Sequence, residues 1–372
     1  MTSNTISATS LSTCLNEQLI DACSKQDSFI VQKLLSEGAQ ADFLLKKDGT
    51  WGAYEQYSAL HLAILGLPDS ATTEQEAIWK EIIQILLKNG ANPNATKESY
   101  DWRGCGGKQT AFQLLSCRTR SPDAQLLAAF LEAGLSPNLA QTQDIASMRT
   151  DGFIKTHLLH DFARSGSIDC AIAILNAGAD VDIRAIESTQ NERGFREERS
   201  ETSLHVAVCN HQIEMCILLL AKGADINAIN YRLDAVVLKE IADKNTTDDP
   251  RDEAYMNPWK ITPIECTSLH MAIKEKKLDL AIFLLITGAD PNIPYKRIGE
   301  GSISTLDLCK CEKLVSPFLL EALADKPDTE KGVEALPLEV QDKISKAFDK
   351  IQDEGWNINT NNFSDIQRFL KS

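Results

Sequence analysis

Positive charge, aromatic rings and long apolar runs are all scarce in this chain. Of 372 residues only 6% are aromatic, and Lys plus Arg number 38 against 53 for Asp plus Glu, a net charge of −15. Such a chain repels phosphate backbones and anionic lipid surfaces, so no nucleic acid is expected as a partner. The longest apolar runs, Met215 to Ala221 and Leu280 to Ile286, are seven residues long. A bilayer-spanning helix needs roughly 20, so no membrane insertion is expected. Met1 to Thr13 is rich in Ser and Thr but has no basic start followed by an apolar stretch, and it reads as a disordered tail rather than a secretory signal. The ten cysteines contain no CxxC. Several occupy apolar positions of helix-like segments, where Cys acts as a small hydrophobe, which favours a reducing, cytoplasmic setting.

Catalytic constellations are missing as well. Cys209 and His211 are close in sequence, but Cys-x-His at a helix start points its side chains apart, and the sequence offers no acid to orient the imidazole. Gly104-Cys105-Gly106-Gly107-Lys108 fails the phosphate-loop pattern at both ends, with Trp102 at the first Gly position and Gln109 after the Lys. Cys309-Lys310-Cys311 has no second pair at zinc spacing. No catalytic residue, metal site or cofactor is expected, and the chain reads as a non-enzyme.

What the sequence does contain is a repeat. Two apolar residues, two variable ones and a Gly recur six times, closing at Gly38, Gly90, Gly134, Gly178, Gly223 and Gly288, each with Leu three positions earlier. A helical pattern precedes every copy, and Gly suits the left-handed residue just past a helix end. A second phrase opens the helix pairs: Ser58-Ala59-Leu60-His61, Thr110-Ala111-Phe112-Gln113, His157-Leu158-Leu159-His160, Thr202-Ser203-Leu204-His205 and Thr267-Ser268-Leu269-His270. Its Ser or Thr is a helix N-cap in all but the third.

Together the phrases resemble the ankyrin repeat, with its Thr-Pro-Leu-His opening and Leu-Leu-x-x-Gly-Ala close. From His160, His205 and His270 to the closing Gly is 18 residues, the family distance. The opening Pro is missing in every copy, and Gln113 stands where the family has His. The resemblance implies an all-α fold: an ankyrin-repeat solenoid of stacked helix-turn-helix units with long β-hairpin or loop insertions. It covers 14–325, about seven units with the first and last degenerate, between a 1–13 tail and a helical 326–372 segment. It also implies that the four opening histidines tie each finger to a helix start.

The family period is about 33 residues, yet successive closing glycines are 44 to 65 apart. The fingers between helix pairs are enlarged each time, and insertions of this kind fall along one side of the stack. Only the second unit carries a long insertion between its helices, and the third a short one. In the longest connector, Leu233, Val236, Val237 and Ile241 at helical spacing predict an inserted helix. All six tyrosines and three of the five tryptophans fall in or beside the connectors. Such rings are favoured at binding hot spots, so the expected partner-binding residues are Trp51, Tyr54, Tyr100, Trp102, Phe153, Arg193, Phe195, Arg196, Tyr231, Tyr255, Trp259 and Tyr295. The expected function is a non-enzymatic scaffold that binds another protein through the enlarged finger loops and the adjoining inner helices of the array.

Leu336-Pro337-Leu338-Glu339-Val340, with Ile344 four residues on, is similar to the opening of an F-box. That resemblance implies an alternative: a substrate adaptor whose 336–372 docks a ubiquitin-ligase subunit. The other reading of the same residues is a capping helix begun by a first-turn proline. A further alternative, resting on analogy, is a secreted microbial effector acting in the host cytosol.

Overall fold

A computed structural model of the chain describes residues 8–50, 53–67, 72–100, 106–118, 123–146, 150–191, 196–236, 260–297, 301–314, 316–324, 328–355 and 361–371. Its contacts divide into two bodies. One runs to Asp180 and includes 189–195; the other comprises Val181–Ser188 and the chain from Arg196 onward.

The first body contains four helix pairs: Ala8–Ser24 with Ser28–Ser36, Ala59–Leu65 with Thr73–Lys88, Ala111–Arg118 with Ala124–Glu132, and Leu158–Ser165 with Ile168–Asn176. The second contains three: Ser203–Cys209 with Ile213–Ala221, Ser268–Lys274 with Leu278–Ile286, and Thr305–Glu312 with Pro317–Ala324. The helix from Ala8 takes in six residues of the expected disordered tail. The insertion in the second repeat mostly lengthens its second helix to sixteen residues, where the added turns bury Trp79.

The opening phrase works as a capping box. Ser58, Thr202 and Thr267 stand in extended backbone at the N-cap, and the third helical residue, a His in each case, returns its ring to the N-cap N–H. Gln113 does the same work without an imidazole: Oε1 accepts from Thr110 N–H at 2.9 Å, and Nε2 donates to Leu139 O at 3.3 Å in the next finger. The missing His is thus replaced in function by an amide with the same reach. At the other end Gly90 and Gly288 adopt φ of 86° and 106°, a region costly for any residue with a Cβ.

Four residues past Gly90, Gly134, Gly178 and Gly223, a short polar side chain binds the next repeat's turn. Ser136 N–H donates to Asn94 Oδ1 at 2.7 Å and Asp180 N–H to Asn138 Oδ1 at 2.8 Å in the first body. In the second, Asp225 N–H donates to Asp182 at 3.1 Å and Asp290 N–H to Asn227 at 2.9 Å. This ladder satisfies turn amides that would otherwise lack partners and sets the repeat spacing from finger to finger.

The fingers correct the all-α expectation. In the first body, β1 (Leu44–Asp48), β2 (Tyr54–Ser58), β3 (Thr96–Tyr100), β4 (Gly106–Thr110), β5 (Ala140–Ala146) and β6 (Thr150–His157) pair antiparallel, each with the next in chain order. In the second, β8 (Arg196–Thr202), β9 (Asn230–Val236), β10 (Lys260–Cys266), β11 (Tyr295–Arg297) and β12 (Gly301–Ile303) do likewise, following β7 (Arg184–Asn191) in sequence. A finger long enough for two strands exposes unpaired edge groups, and the neighbouring finger covers them. Leu233 and Val236, read as the start of an inserted helix, lie in β9; Val237 and Ile241 fall outside the described residues.

The C-terminal segment folds as Thr329–Glu334, Leu338–Asp353 and Asn361–Lys371. The first packs on Leu278–Ile286, the second on Ile213–Ala221, and the third on the other two. Those two supporting helices carry the longest apolar runs, and both runs are buried almost throughout. A helix facing a core on one side only has no use for seven consecutive apolar residues; a covering layer accounts for them. Gly332 marks how close the layer lies, because a Cβ there would collide with Ile286 Cγ2 and stand 2.8 Å from Phe318 Cζ.

Candidate partner-binding site

Directly opposed residues of antiparallel strands lie on one face of a sheet, and alternate residues share it. The registers Lys46↔Gln56, Tyr54↔Tyr100, Glu98↔Lys108, Lys108↔Thr142 and Asp144↔Phe153 therefore gather Tyr54, Tyr100 and Phe153 on a single face of the first body's sheet. The Tyr54 and Tyr100 rings lie 5.2 Å apart, and Lys46 Nζ sits 4.6 Å above Tyr54. Tyr54 OH donates to Glu98 at 3.0 Å, and Lys108 binds the other Glu98 oxygen at 2.7 Å. The Lys108 bond, with Tyr54 adding to it, holds the Glu98 carboxyl below its ordinary pKa. Burial and the Glu98 bond push Tyr54 up. Tyr54, Glu98 and Lys108 are held by these bonds, and three strands from Tyr100, on the same face, the Phe153 ring stands 37% exposed.

In the second body Tyr231 lies on β9, 44% exposed, opposite Ser200 and Glu265, with Lys296 paired to Glu265 at 3.0 Å. Tyr295 is a correction. It is one residue out of phase with Lys296, faces the helices, and is 1% exposed with its ring edge-on to His270 at 5.8 Å. Its hydroxyl accepts from Lys274 Nζ at 3.2 Å, so it holds a finger onto a helix and offers no contact surface. Trp51, Trp102, Arg193, Phe195, Tyr255 and Trp259 lie outside the described residues, as does the side chain of Arg196 on β8.

Two features escaped sequence reasoning. Arg184, in a finger rich in both Arg and Glu, donates to Ser200 Oγ at 3.2 Å and Ile229 O at 3.0 Å, tying its finger to the next. His211 has the acid partner that the sequence did not reveal: Nε2 lies 2.7 Å from Asp279 Oδ2, across 68 residues. Nearby Lys277 Nζ donates to the carbonyls of Val208 and Cys209 at 3.0 and 2.5 Å. The cluster joins two successive repeats at their helix turns.

Two of the opening histidines, His61 and His270, are kept neutral. His61 bridges Ser58 Oγ at 2.8 Å and Lys97 N–H at 2.9 Å; burial lowers its pKa to about 4. Burial does the same to His270, to about 4, with Nδ1 accepting from Thr267 N–H at 3.0 Å. Among the described residues no group of three or more His, Cys, Asp or Glu could hold a metal ion, and no described helix is long and apolar enough to cross a membrane.

The family model for ankyrin repeats matches in three copies over residues 76–230, and that for the single ankyrin repeat over 265–296, together just over half of the chain. The chain belongs to the ankyrin-repeat family. No curated protein sequence matches it. Among solved structures it is similar to the ankyrin repeat domain of human ASB11, at 18% identity and a TM-score of 0.43, covering 83% of this chain and 98% of that one. Ankyrin repeats in general mediate protein–protein interaction and are typically non-enzymatic scaffolds. In this ankyrin-repeat chain the fingers pair as antiparallel strands beside the helix pairs.

Proposed function

We propose that this ankyrin-repeat chain is a non-enzymatic scaffold that binds a protein partner through the aromatic face of its finger sheet. The observation carrying the reading is the convergence of Tyr54, Tyr100 and Phe153 on one face. Aromatic rings held by neighbours lose little rotamer freedom on binding, which is why they serve as anchors. Exposed Tyr231 gives the second body an anchor of the same kind. We place the protein in the cytoplasm, a reading supported by its buried thiols: burial pushes Cys23 and Cys170 to about 12 and Cys309 to about 11, the pattern of cysteines used as packing groups.

The ligase-adaptor alternative gains no support from the C-terminal helix. Its Val340, Ile344, Phe348 and Ile351 are buried, while Leu338, at its start, is 82% exposed. A ligase subunit reading that apolar face would first have to displace the helix from Ile213–Ala221. Affinity capture from lysate with the full chain and with a Tyr54→Ser, Phe153→Ser variant tests the scaffold reading. Loss of specifically captured proteins with unchanged thermal stability is expected; equal capture by both would contradict it.

A further inference from the structure

The opposite face of the first body's sheet carries a trough that the aromatic site leaves unused. Registers Lys97↔Gln109, Ser99↔Gly107 and Gly107↔Gln143 place these residues away from Tyr54 and Tyr100, and Gln141 joins them by alternation. Gly107 stands in mid-row between Ser99 and Gln143, so its missing side chain leaves a notch with bare backbone as floor. Both glycines of β4 are also needed for the strands to close up. A Cβ at Gly106 would collide with Ser99 O, and one at Gly107 would stand 2.8 Å from Thr142 O. The resulting trough has a volume of about 460 Å³, within the range of ligand sites.

Its walls present the carboxamides of Gln109, Gln141 and Gln143, the Ser99 hydroxyl and the Lys97 ammonium, with no apolar side chain; Thr142 and Asp144 also border it, but by register their side chains belong to the aromatic face. Such a lining matches a peptide main chain. A Gln carboxamide offers an acceptor and two donors, the complement of a peptide unit's N–H and C=O. Gln141 and Gln143 are two positions apart on one strand, ~6.6 Å, which is also the spacing of alternate peptide units in an extended segment laid alongside. Lys97 is half-buried at the trough and has no ion pair among the described residues; Asp144, the acid bordering the trough, is placed by its register with Phe153 on the other face. An ammonium so placed is complementary to a carboxylate.

We propose that the trough binds an extended segment of a protein partner, with Gln141 and Gln143 holding its main chain and Lys97 taking an Asp or Glu side chain. The inference rests on the scaffold reading above and adds a second contact surface with a stated chemistry.

The test is selection of peptides from a phage-displayed random library on the full chain, followed by affinity measurement with labelled synthetic peptides. Enriched peptides should share an acidic residue, and replacing it by its amide should weaken binding about tenfold. Lys97→Met should abolish that preference, and Gln143→Ala should weaken acid and amide peptides alike by about tenfold, with thermal midpoints unchanged. No enrichment, or enriched peptides indifferent to both substitutions, overturns the proposal. A Phe153→Ser variant run in parallel separates the two readings. Peptides lost with Phe153→Ser but kept with Lys97→Met sink the trough and leave the aromatic face standing; the reverse pattern upholds the trough, and the capture experiment with the Tyr54→Ser, Phe153→Ser variant decides the aromatic face separately.

Discussion

Replacing His270 by Gln should make the protein less stable at neutral pH and more stable in acid. His270 is fully buried, and burial holds its folded-state pKa at about 4, against about 6.5 for an exposed imidazole. Between those values the unfolded chain takes up a proton that the folded one refuses, so stability falls as pH drops from 6.5 towards 4 and is level below that. At pH 4.5 the loss from this residue is about 2.5 kcal/mol. A Gln keeps the structural bonds, as Gln113 shows: Oε1 can accept from Thr267 N–H, and Nε2 can donate to Thr305 Oγ1, which now lies 3.1 Å from the imidazole. What it gives up is the ring contact with Tyr295, worth about 1 kcal/mol. The variant should therefore be about 1 kcal/mol less stable at pH 7.5 and about 1.5 kcal/mol more stable at pH 4.5. Urea unfolding followed by circular dichroism at the two pH values measures the difference. A gap between the two proteins that stays constant with pH would refute the reasoning.

Three other outcomes follow from the packing. Phe348→Ala, which removes a ring 1% exposed and edge-on to Phe363 at 5.7 Å, should cost about 3–5 kcal/mol, read as faster amide exchange in 338–353. Gly332→Val should loosen the same layer through its collision with Ile286, detected as increased dye binding to newly exposed apolar surface. Asn138→Ala removes an acceptor for Asp180 N–H and a donor to Gly178 O, so it should lower stability by about 1–2 kcal/mol in denaturant titration.

The helix pairs were legible because each is specified locally. A cap, a periodic apolar run and a left-handed Gly all fall within about twenty residues of one another in the repeat. The sheet was not, because pairing between β2 and β3 or between β4 and β5 joins separate fingers, and β4, reading Gly106-Gly107-Lys108-Gln109-Thr110, has the composition of a flexible tip. Tyr54, Tyr100 and Phe153 could be singled out as finger aromatics, but only the register shows that they share a face while Tyr295 turns inward. His211 and Asp279 are 68 residues apart, with nothing local to link them. One signal was present and could have been used. The runs Met215–Ala221 and Leu280–Ile286 hold more apolar residues than a one-sided helix can bury, and that surplus calls for the C-terminal layer packed over them.

Hydroxyl-radical footprinting of the chain with and without its captured partner reads out whether the aromatic finger face is where the partner binds. Reduced oxidation is expected at Phe153, with Tyr54 and Tyr100 following, and unchanged oxidation at Phe29, which is 77% exposed on the helix Ser28–Ser36, outside the sheet. Protection of Phe29 with Phe153 still fully reactive would contradict it.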